Sequence, residues 1–148
     1  MAARNIFPTI WQTVSSPANE GFIQAGFLKN LGFDVHVFHE DAVSKFITKL
    51  DLAIFGADLL WKDSFLNKVG TFPISLIFRH FRKPVYVLAE SRKKIDTAKI
   101  SRERWSKFLS EQPKPVTELS ENPARGLSIH NYYFEAVPLS FVNQVFVE

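Results

Sequence analysis

The residues best suited to chemistry lie in one stretch, from Gly56 to Thr71. Asp58 follows the apolar run 52–55, which predicts a buried strand, so a carboxylate stands at the carboxyl end of that strand. The segment 67–71, Asn-Lys-Val-Gly-Thr, precedes an amphipathic run over 72–81 that predicts a helix. Ligands of open α/β sheets bind at the carboxyl edge of the strands, and a helix N-terminus offers free N–H groups to an anion. The stretch therefore predicts a site for a phosphorylated ligand.

Each residue of this stretch has a functional and a structural interpretation. Asn67 and Lys68 would bind a phosphate, because an amide donates hydrogen bonds and an ammonium supplies positive charge. Gly70 would let the backbone approach the ligand, and Thr71 would cap the helix or donate its hydroxyl. Gly56 is a further candidate ligand-binding residue. The alternative is a capped helix that carries a surface lysine. The agreement between residue types and predicted elements favours anion binding.

Two further segments are expected at the same edge of the sheet. Residues 15–21 form a turn before a predicted helix, with Ser16 as its N-cap and Pro17 in its first turn. The candidate phosphate-binding residues of this turn are Ser15, Ser16, Asn19, Glu20 and Gly21. Glu90 and Ser91 follow the fourth predicted strand, from which they would reach a sugar hydroxyl. If the turn binds no anion, it serves only to begin the helix.

The elements that must position these residues alternate between strand and helix. Apolar runs predict strands at 6–13, 35–38, 52–55, 85–89 and 142–147, and a hairpin over 59–66 with its turn at 62–64. Helical spacing predicts helices after Pro17, stopped by Gly32, and over 42–50, 71–81 and, in a polar region, about 102–110. This alternation predicts one three-layer α/β domain over residues 1–148, with a mostly parallel, Rossmann-like sheet covered on both faces.

Composition narrows the classes of function. The 148 residues include 46% hydrophobic side chains and 15 Phe, so the chain should fold around a core. We expect Trp11, Trp61 and the Phe residues in that core or in an interface, not as platforms for stacked bases. The absence of cysteine excludes disulfides, thiolate metal sites and a cysteine nucleophile, and it fits a reducing, cytoplasmic setting. No apolar run is long enough to span a membrane. The four His residues lack metal-ligand spacing, and no dinucleotide-binding or Walker A motif is present, so we expect no metal and no cofactor.

A basic segment has no assigned role. The net charge of the chain is +3, but residues 79–107 contain ten basic and three acidic side chains. Such a segment could face nucleic acid, an acidic partner or a phosphate, whereas a solvated helix face is the commoner reason for it. No motif supports nucleic-acid binding.

Four motifs, in the same order, resemble the translation initiation factor 2B alpha/beta/delta family, which includes methylthioribose-1-phosphate and ribose-1,5-bisphosphate isomerases. They are Gly-Ala-Asp at 56–58 with Asn-Lys-x-Gly-Thr at 67–71, the strand and Glu-Ser at 84–91, the turn at 15–21, and Asn-Tyr-Tyr-Phe-Glu at 131–135. The resemblance implies the Rossmann-like C-terminal domain of that family. It also implies a phosphorylated sugar or nucleotide as ligand and pairing of C-terminal domains, so we expect a homodimer.

Departures from the family pattern argue against catalysis. We find no counterpart of the family's N-terminal helical domain. Its isomerases use a catalytic cysteine with the aspartate that corresponds to Asp58, and its turn carries an arginine where this chain has Ser16. We therefore expect a non-catalytic binder of a phosphorylated ligand and of protein partners, in which Asp58 contacts a sugar hydroxyl or only accepts backbone N–H groups. The alternatives are a sugar-phosphate isomerase that uses Asp58 and an assembly partner whose ligand pocket has decayed.

Overall fold

The structure is a computed structural model, and it describes residues 7–99, 101 and 114–148. The strands within these ranges are β1 Thr9–Thr13, β2 Asp34–Phe38, β3 Ala53–Gly56, β4 Leu59–Leu60, β5 Ser64–Lys68, β6 Val85–Ala89, β7 Phe134–Pro138 and β8 Gln144–Val147. The α-helices are α1 Glu20–Asn30, α2 Val43–Phe46 and α3 Thr71–His80. The helix predicted at about 102–110 lies outside the described residues.

Hydrogen bonding divides the strands into three sheets. β1 and β2 pair in parallel, and β3, β6 and β8 form a second parallel sheet in that order. β4, β5 and β7 form an antiparallel sheet, which includes the predicted hairpin. The α/β class with parallel strands is therefore confirmed, while the strands are distributed over separate sheets rather than one.

Two hydrophobic clusters hold these sheets and helices together. The first joins α2 and α3 to the two parallel sheets, and its buried members are Phe38, Val43, Ile47, Leu50, Ala53, Ile74, Phe78 and Val85. The second joins the antiparallel sheet to β6, and its buried members are Ala57, Leu60, Phe65, Val87, Ala89 and Val137. Burial of each large apolar side chain contributes about 1.5–3 kcal/mol. Trp11 packs against the first cluster, as expected for a core aromatic.

One face of the β3–β6–β8 sheet is open in the part of the chain that the structure describes. Ile54, Leu88 and Phe146 project from it with exposed fractions of 56%, 50% and 45%. The opposite face carries the buried residues Val85 and Val87. The expectation of a sheet covered on both faces therefore does not hold among the described residues.

The start of α1 differs from the prediction. The helix begins at Glu20, and its N-cap is Asn19, which has a left-handed backbone with φ of 58°. Residues 15–19 form a separate turn, in which the Asn19 N–H donates to the Ser15 carbonyl at 3.0 Å. The Ser16–Pro17 peptide bond is cis. Ser16 as N-cap with Pro17 in the first helical turn was therefore wrong, whereas Gly32, with φ of 91°, does follow the end of the helix.

Other boundaries also moved. The helix predicted over 42–50 is α-helical only in α2, because 3₁₀ turns at Glu40–Ala42 and Ile47–Lys49 flank it. β7 has no counterpart among the predicted strands, since it is short and ends in Pro138. The last strand begins at Gln144, after the 3₁₀ turn Leu139–Phe141. β6 has the predicted bounds.

Two glycines of α1 test how closely that helix must approach β1. A Cβ on Gly21 would lie 1.8 Å from the Thr13 carbonyl oxygen, whereas a Cβ on Gly26 would meet nothing within 4 Å. We expect Gly21→Ala to lower the free energy of unfolding by about 1–3 kcal/mol through steric overlap. The matched variant Gly26→Ala should raise it by up to about 1 kcal/mol, because alanine favours the helix. Urea denaturation measures both.

A Gly21→Ala variant with unchanged stability would mean that α1 can move away from β1 without loss.

Candidate functional site

The carboxyl ends of the parallel strands carry most of the predicted site. Residues 15–19 follow β1, and Glu40 follows β2 after a single intervening residue. Asp58 follows β3, and Glu90 follows β6. Because β3 and β6 pair in parallel, Asp58 and Glu90 leave the same edge of one sheet.

Lys68 and Glu20 bring two predicted segments together. The Lys68 ammonium donates to Glu20 Oε2 at 3.1 Å, across 48 residues of sequence. The Lys68 side chain is only 12% exposed, whereas that of Glu20 is 63% exposed. The ammonium also lies 4.2 Å from the centroid of the Tyr133 ring. Lys68 is therefore a largely buried cation with a solvent-facing carboxylate as its partner.

Asn67 and Lys68 lie on β5 and not at the helix N-terminus, where the sequence analysis placed them. The helix α3 follows only after Gly70, whose φ of 98° makes it the N-cap. Asn67 donates to the Thr71 hydroxyl at 2.9 Å, and that hydroxyl donates to the Lys68 carbonyl at 2.7 Å. The Asn67 and Thr71 side chains thus bond to the turn itself, and they hold it in shape.

Glu135 occupies the N-terminus of α3. Its Oε1 accepts from the Phe72 N–H at 2.8 Å, and β7 delivers it there through the β5–β7 pairing, in which Asn67 lies opposite Glu135. Burial raises the pKa of Glu135, while hydrogen bonds from the backbone of Phe72, Gly70 and Thr71 act to lower it. The anion-binding position expected at this helix N-terminus is therefore taken by a carboxylate of the chain itself.

A second internal carboxylate occupies the turn after β1. Glu40 is 9% exposed, and its Oε1 accepts from the Ser16 N–H at 3.3 Å and also from the Ser15 N–H. Its Oε2 is buried without a hydrogen-bond partner. The backbone N–H groups of Ser15 and Ser16, two of the candidate phosphate-binding residues, are therefore already used.

Glu40 also fixes the position of Gly70. A Cβ on Gly70 would lie 2.9 Å from Glu40 Cγ, so the turn before α3 packs directly on this carboxylate side chain. Together with the left-handed φ of Gly70, this contact restricts the position to glycine. Gly70 therefore serves the fit between two internal elements, a role different from the predicted approach to a ligand.

Ser16 stands where the family's turn carries an arginine, and its side chain contacts His39. Ser16 Oγ lies 3.1 Å from His39 Nε2. On the other side of the ring, His39 Nδ1 lies 3.5 Å from Asp41 Oδ2 and 3.7 Å from Glu40 Oε2. Asn19 makes no side-chain capping bond and is exposed.

Asp58 has a partner that sequence reasoning missed. Lys93 Nζ lies 3.9 Å from Asp58 Oδ1, and both side chains are partly exposed, at 32% and 45%. Arg92 binds Glu90 through two hydrogen bonds, one of them 3.1 Å long, and this lowers the pKa of Glu90. The Ser91 N–H donates to the Glu148 carbonyl at 2.8 Å.

The basic segment supplies several of these contacts. Besides Arg92 and Lys93, Arg79 donates to the Ser140 carbonyl and Lys83 to the Leu50 carbonyl. These bonds tie loops to the core, so part of the charge of residues 79–99 has an internal, structural role. The rest of the segment to residue 107 lies largely outside the described residues.

Two residues of the site, Lys93 and Glu40, were not predicted from the sequence, and they differ in how visible they were there. Lys93 stands three residues after Glu90, in a visibly basic run directly after a strand, and could have been included on that ground. Glu40 gave only the pattern of an acidic residue before a short helix, which usually marks an exposed first turn. No sequence pattern predicted the burial of Glu40 against the turn at residues 15–16.

None of the described helices is both long and apolar enough to cross a bilayer.

Comparison with known proteins places this arrangement in a family. The profile of the Initiation factor 2 subunit family matches residues 2–148, and the chain belongs to that family. It is 29% identical to the ribose 1,5-bisphosphate isomerase of Methanocaldococcus jannaschii over 140 residues, which are 94% of this chain and 44% of that protein. It is also 29% identical to translation initiation factor eIF2B subunit alpha of Dictyostelium discoideum, over 92% of this chain and 44% of the relative.

Solved structures agree with this assignment. The crystal structure of translation initiation factor eIF-2B subunit delta from A. fulgidus superposes with a TM-score of 0.78 at 25% identity, over 93% of this chain and 41% of that one. The fold is therefore the Rossmann-like type of this family. The chain spans less than half the length of these relatives.

The Glu135 carboxylate makes stability depend on pH. Because burial raises its pKa, the folded protein binds this proton more tightly than the unfolded chain, so the group costs stability as pH rises above about 4.5. Glu135→Gln keeps an acceptor for the Phe72 N–H but carries no charge. We expect the difference in Tm, variant minus wild type, to increase between pH 4 and pH 7.

Thermal denaturation across that range measures the difference, with the exposed Glu121→Gln as control. A difference that decreases with pH would show that the helix N-terminus outweighs the cost of burial.

Proposed function

We propose that this chain is a non-catalytic binding domain of the initiation factor 2B type. Its ligand is a phosphorylated sugar or a nucleotide, held at the carboxyl edge of the parallel strands. The relatives include both sugar-phosphate isomerases and eIF2B subunits. The isomerases suggest a phosphorylated ligand, and the subunits suggest association with other proteins. The geometry of Lys68 carries the proposal.

Lys68 offers a phosphate a prepared positive charge. Its ammonium lies over the Tyr133 ring and is largely shielded from water. Electrostatic attraction is stronger at such a shielded position than at the surface. Glu20 neutralises it, but Glu20 itself is mostly in solvent, so a phosphate can exchange with it without leaving the buried ammonium unpaired. A phosphate would then replace Glu20 beside the ammonium.

The remaining predicted residues support that position rather than contact the phosphate. Asn67, Gly70 and Thr71 shape the turn between β5 and α3, and Ser15 and Ser16 give their N–H groups to Glu40. The Asp58 carboxylate is partly exposed beside Lys93, so it can accept from a sugar hydroxyl. The 148 residues contain no counterpart of the isomerases' catalytic cysteine, which supports binding without turnover.

Charge variants of the Lys68–Glu20 pair test the proposal, because they should act in opposite directions. Lys68→Gln should weaken binding of ribose 5-phosphate about tenfold or more, since a charged hydrogen bond contributes roughly 1.5–3 kcal/mol. Glu20→Gln should strengthen it, because the internal competitor loses its charge. Isothermal titration calorimetry measures both, with Lys62→Gln, an exposed lysine of the hairpin, as the matched control.

Equal weakening by Lys68→Gln and Lys62→Gln would place the phosphate elsewhere. Turnover of ribose 1,5-bisphosphate or methylthioribose 1-phosphate by the wild type, lost in Asp58→Asn, would overturn the non-catalytic part of the proposal.

We further propose that the protein partner is a second copy of this chain. Three large apolar side chains of α1 are mostly exposed: Phe22 at 56%, Ile23 at 78% and Phe27 at 63%. β8 is the outer strand of its sheet in the described chain, so the tail also offers an open edge. We expect sedimentation velocity to detect a dimer at micromolar concentration and Ile23→Asp to shift it toward monomer. A monomeric wild type would contradict the proposal.

A further inference from the structure

The turn after α3 and the loop before β3 adjoin each other at the amino ends of the parallel strands. Residues 79–84 lead into β6, and residues 49–52 lead into β3. The Lys83 ammonium donates to the Leu50 carbonyl, which joins the two segments. Because β3 and β6 run in parallel, this surface, which we call the amino edge, lies at the opposite end of the strands from the candidate site.

The amino edge carries positive charge that no described carboxylate neutralises. Its two segments contain four cations, Lys49, Arg79, Arg82 and Lys83, against the single carboxylate of Asp51. Arg79 and Lys83 donate to backbone carbonyls, which leave their charge in place. None of the four forms an ion pair with a carboxylate of the described residues. The cations described above at the carboxyl edge, in contrast, are each paired with a carboxylate.

Arg82 has a backbone conformation that favours glycine. Its φ is 54°, in the left-handed region. The end of α1 has the same hydrogen-bond pattern with Gly32 at the equivalent position, where φ is 91°. Arg82 and Gly32 each donate to the carbonyl three residues earlier at 3.0 Å, and the residue after each donates to the carbonyl five residues earlier, at 2.9 and 3.2 Å. The chain thus keeps a cation where its other long helix has the unstrained residue, a local cost of the kind found at functional positions.

Phe81 adds an exposed aromatic ring beside these cations. Its side chain is 50% exposed, and the His80 ring packs against it at an angle of 79°, with the centroids 5.1 Å apart. A single-stranded nucleic acid uses both features at once, because its phosphates pair with cations and its bases stack on aromatic rings. An acidic peptide has the negative charge but no base to stack on the ring. The combination therefore favours a nucleic acid.

We propose that the amino edge binds single-stranded nucleic acid, with phosphates at Arg79, Arg82 and Lys83 and a base stacked on Phe81. The proposal gives a role to the first part of the basic segment. It goes beyond the proposed function and does not rest on it, because the phosphorylated ligand is placed at the other edge. Phe81 is then an exception to the expectation that no Phe of this chain stacks on a base.

Fluorescence anisotropy of the whole chain with a labelled oligo(A) of about 12 nucleotides tests the proposal. The strand is supplied once as RNA and once as DNA, and we expect both to bind, because phosphates and bases are common to them. Phe81→Ser should weaken binding about fivefold or more, and Phe81→Tyr should retain it, since tyrosine keeps a ring on which a base can stack. Neither variant should change how steeply the affinity falls with salt, because both leave the charge intact.

Arg82→Gly tests the cation and the strained backbone together. It should raise Tm, because glycine favours the left-handed conformation. It should also make the slope of log affinity against log salt shallower by about 0.7, which is the contribution of one phosphate contact on a single strand. Lys62→Gln removes one exposed positive charge from the hairpin, and as the matched control it should change neither quantity.

Three outcomes would overturn the proposal. Phe81→Ser could bind as tightly as the wild type, or Arg82→Gly could keep the full salt slope. A polyglutamate peptide that binds as tightly as the strands, with no dependence on Phe81, would assign the surface to an acidic peptide. Displacement of the strand by excess ribose 5-phosphate would place it at the candidate site. A chain that binds ribose 5-phosphate but neither strand would overturn this inference alone and leave the proposed function intact.

Discussion

The hydrogen bond between the Glu135 carboxylate and the start of α3 is the constraint on which the site depends. β7 pairs with β5, and through Glu135 it also holds α3, so one side chain fixes the helix relative to the strand that precedes it. The turn between them is held at both ends, by the β5–β7 pairing and by this hydrogen bond. Lys68, the last residue of β5, donates to Glu20, while Glu135 fills the helix N-terminus.

Two carboxylates of the chain occupy backbone N–H groups at the carboxyl edge of the strands. Backbone N–H groups at a helix start and in a polar turn are the usual cradle for a phosphate. In this chain Glu135 fills the first and Glu40 fills the second. For the ligand proposed above, the attraction would therefore come from side-chain charge. Lys93 lies beside Asp58, and Lys68 lies on the strand to which Asp58 is bonded.

Local patterns in the sequence predicted the elements better than the contacts between them. The apolar run of β6, the stop at Gly32 and the hairpin before Lys68 follow from short-range propensities, and all three are found. The four-motif resemblance predicted the family correctly. What could not be predicted depends on long-range pairing. β7 is a strand because β5 lies beside it, and Glu40 is buried because Gly70 packs on it.

Two predictions of local structure around the candidate site were wrong for the same physical reason. Ser16 has the residue type of an N-cap, and 67–71 has the composition of a helix start, but each segment had a competing structure. Glu40 draws the backbone of Ser15 and Ser16 inward, which separates that turn from α1. Pairing with β7 extends β5 as far as Lys68. Propensity was overridden in both places by a partner more than twenty residues away.

The Lys68–Glu20 pair carries an energetic consequence for any ligand. A largely buried ammonium cannot be left without an anion, because an unpaired buried charge costs several kcal/mol. Either Glu20 or a ligand must therefore occupy the position, and the ligand's apparent affinity is its intrinsic affinity multiplied by the fraction of molecules in which Glu20 has left the ammonium. The exposed setting of Glu20 keeps that reduction small, whereas a buried partner would have closed the site. Lys68 is thus paired in this structure, and under the proposed function it would exchange Glu20 for the phosphate.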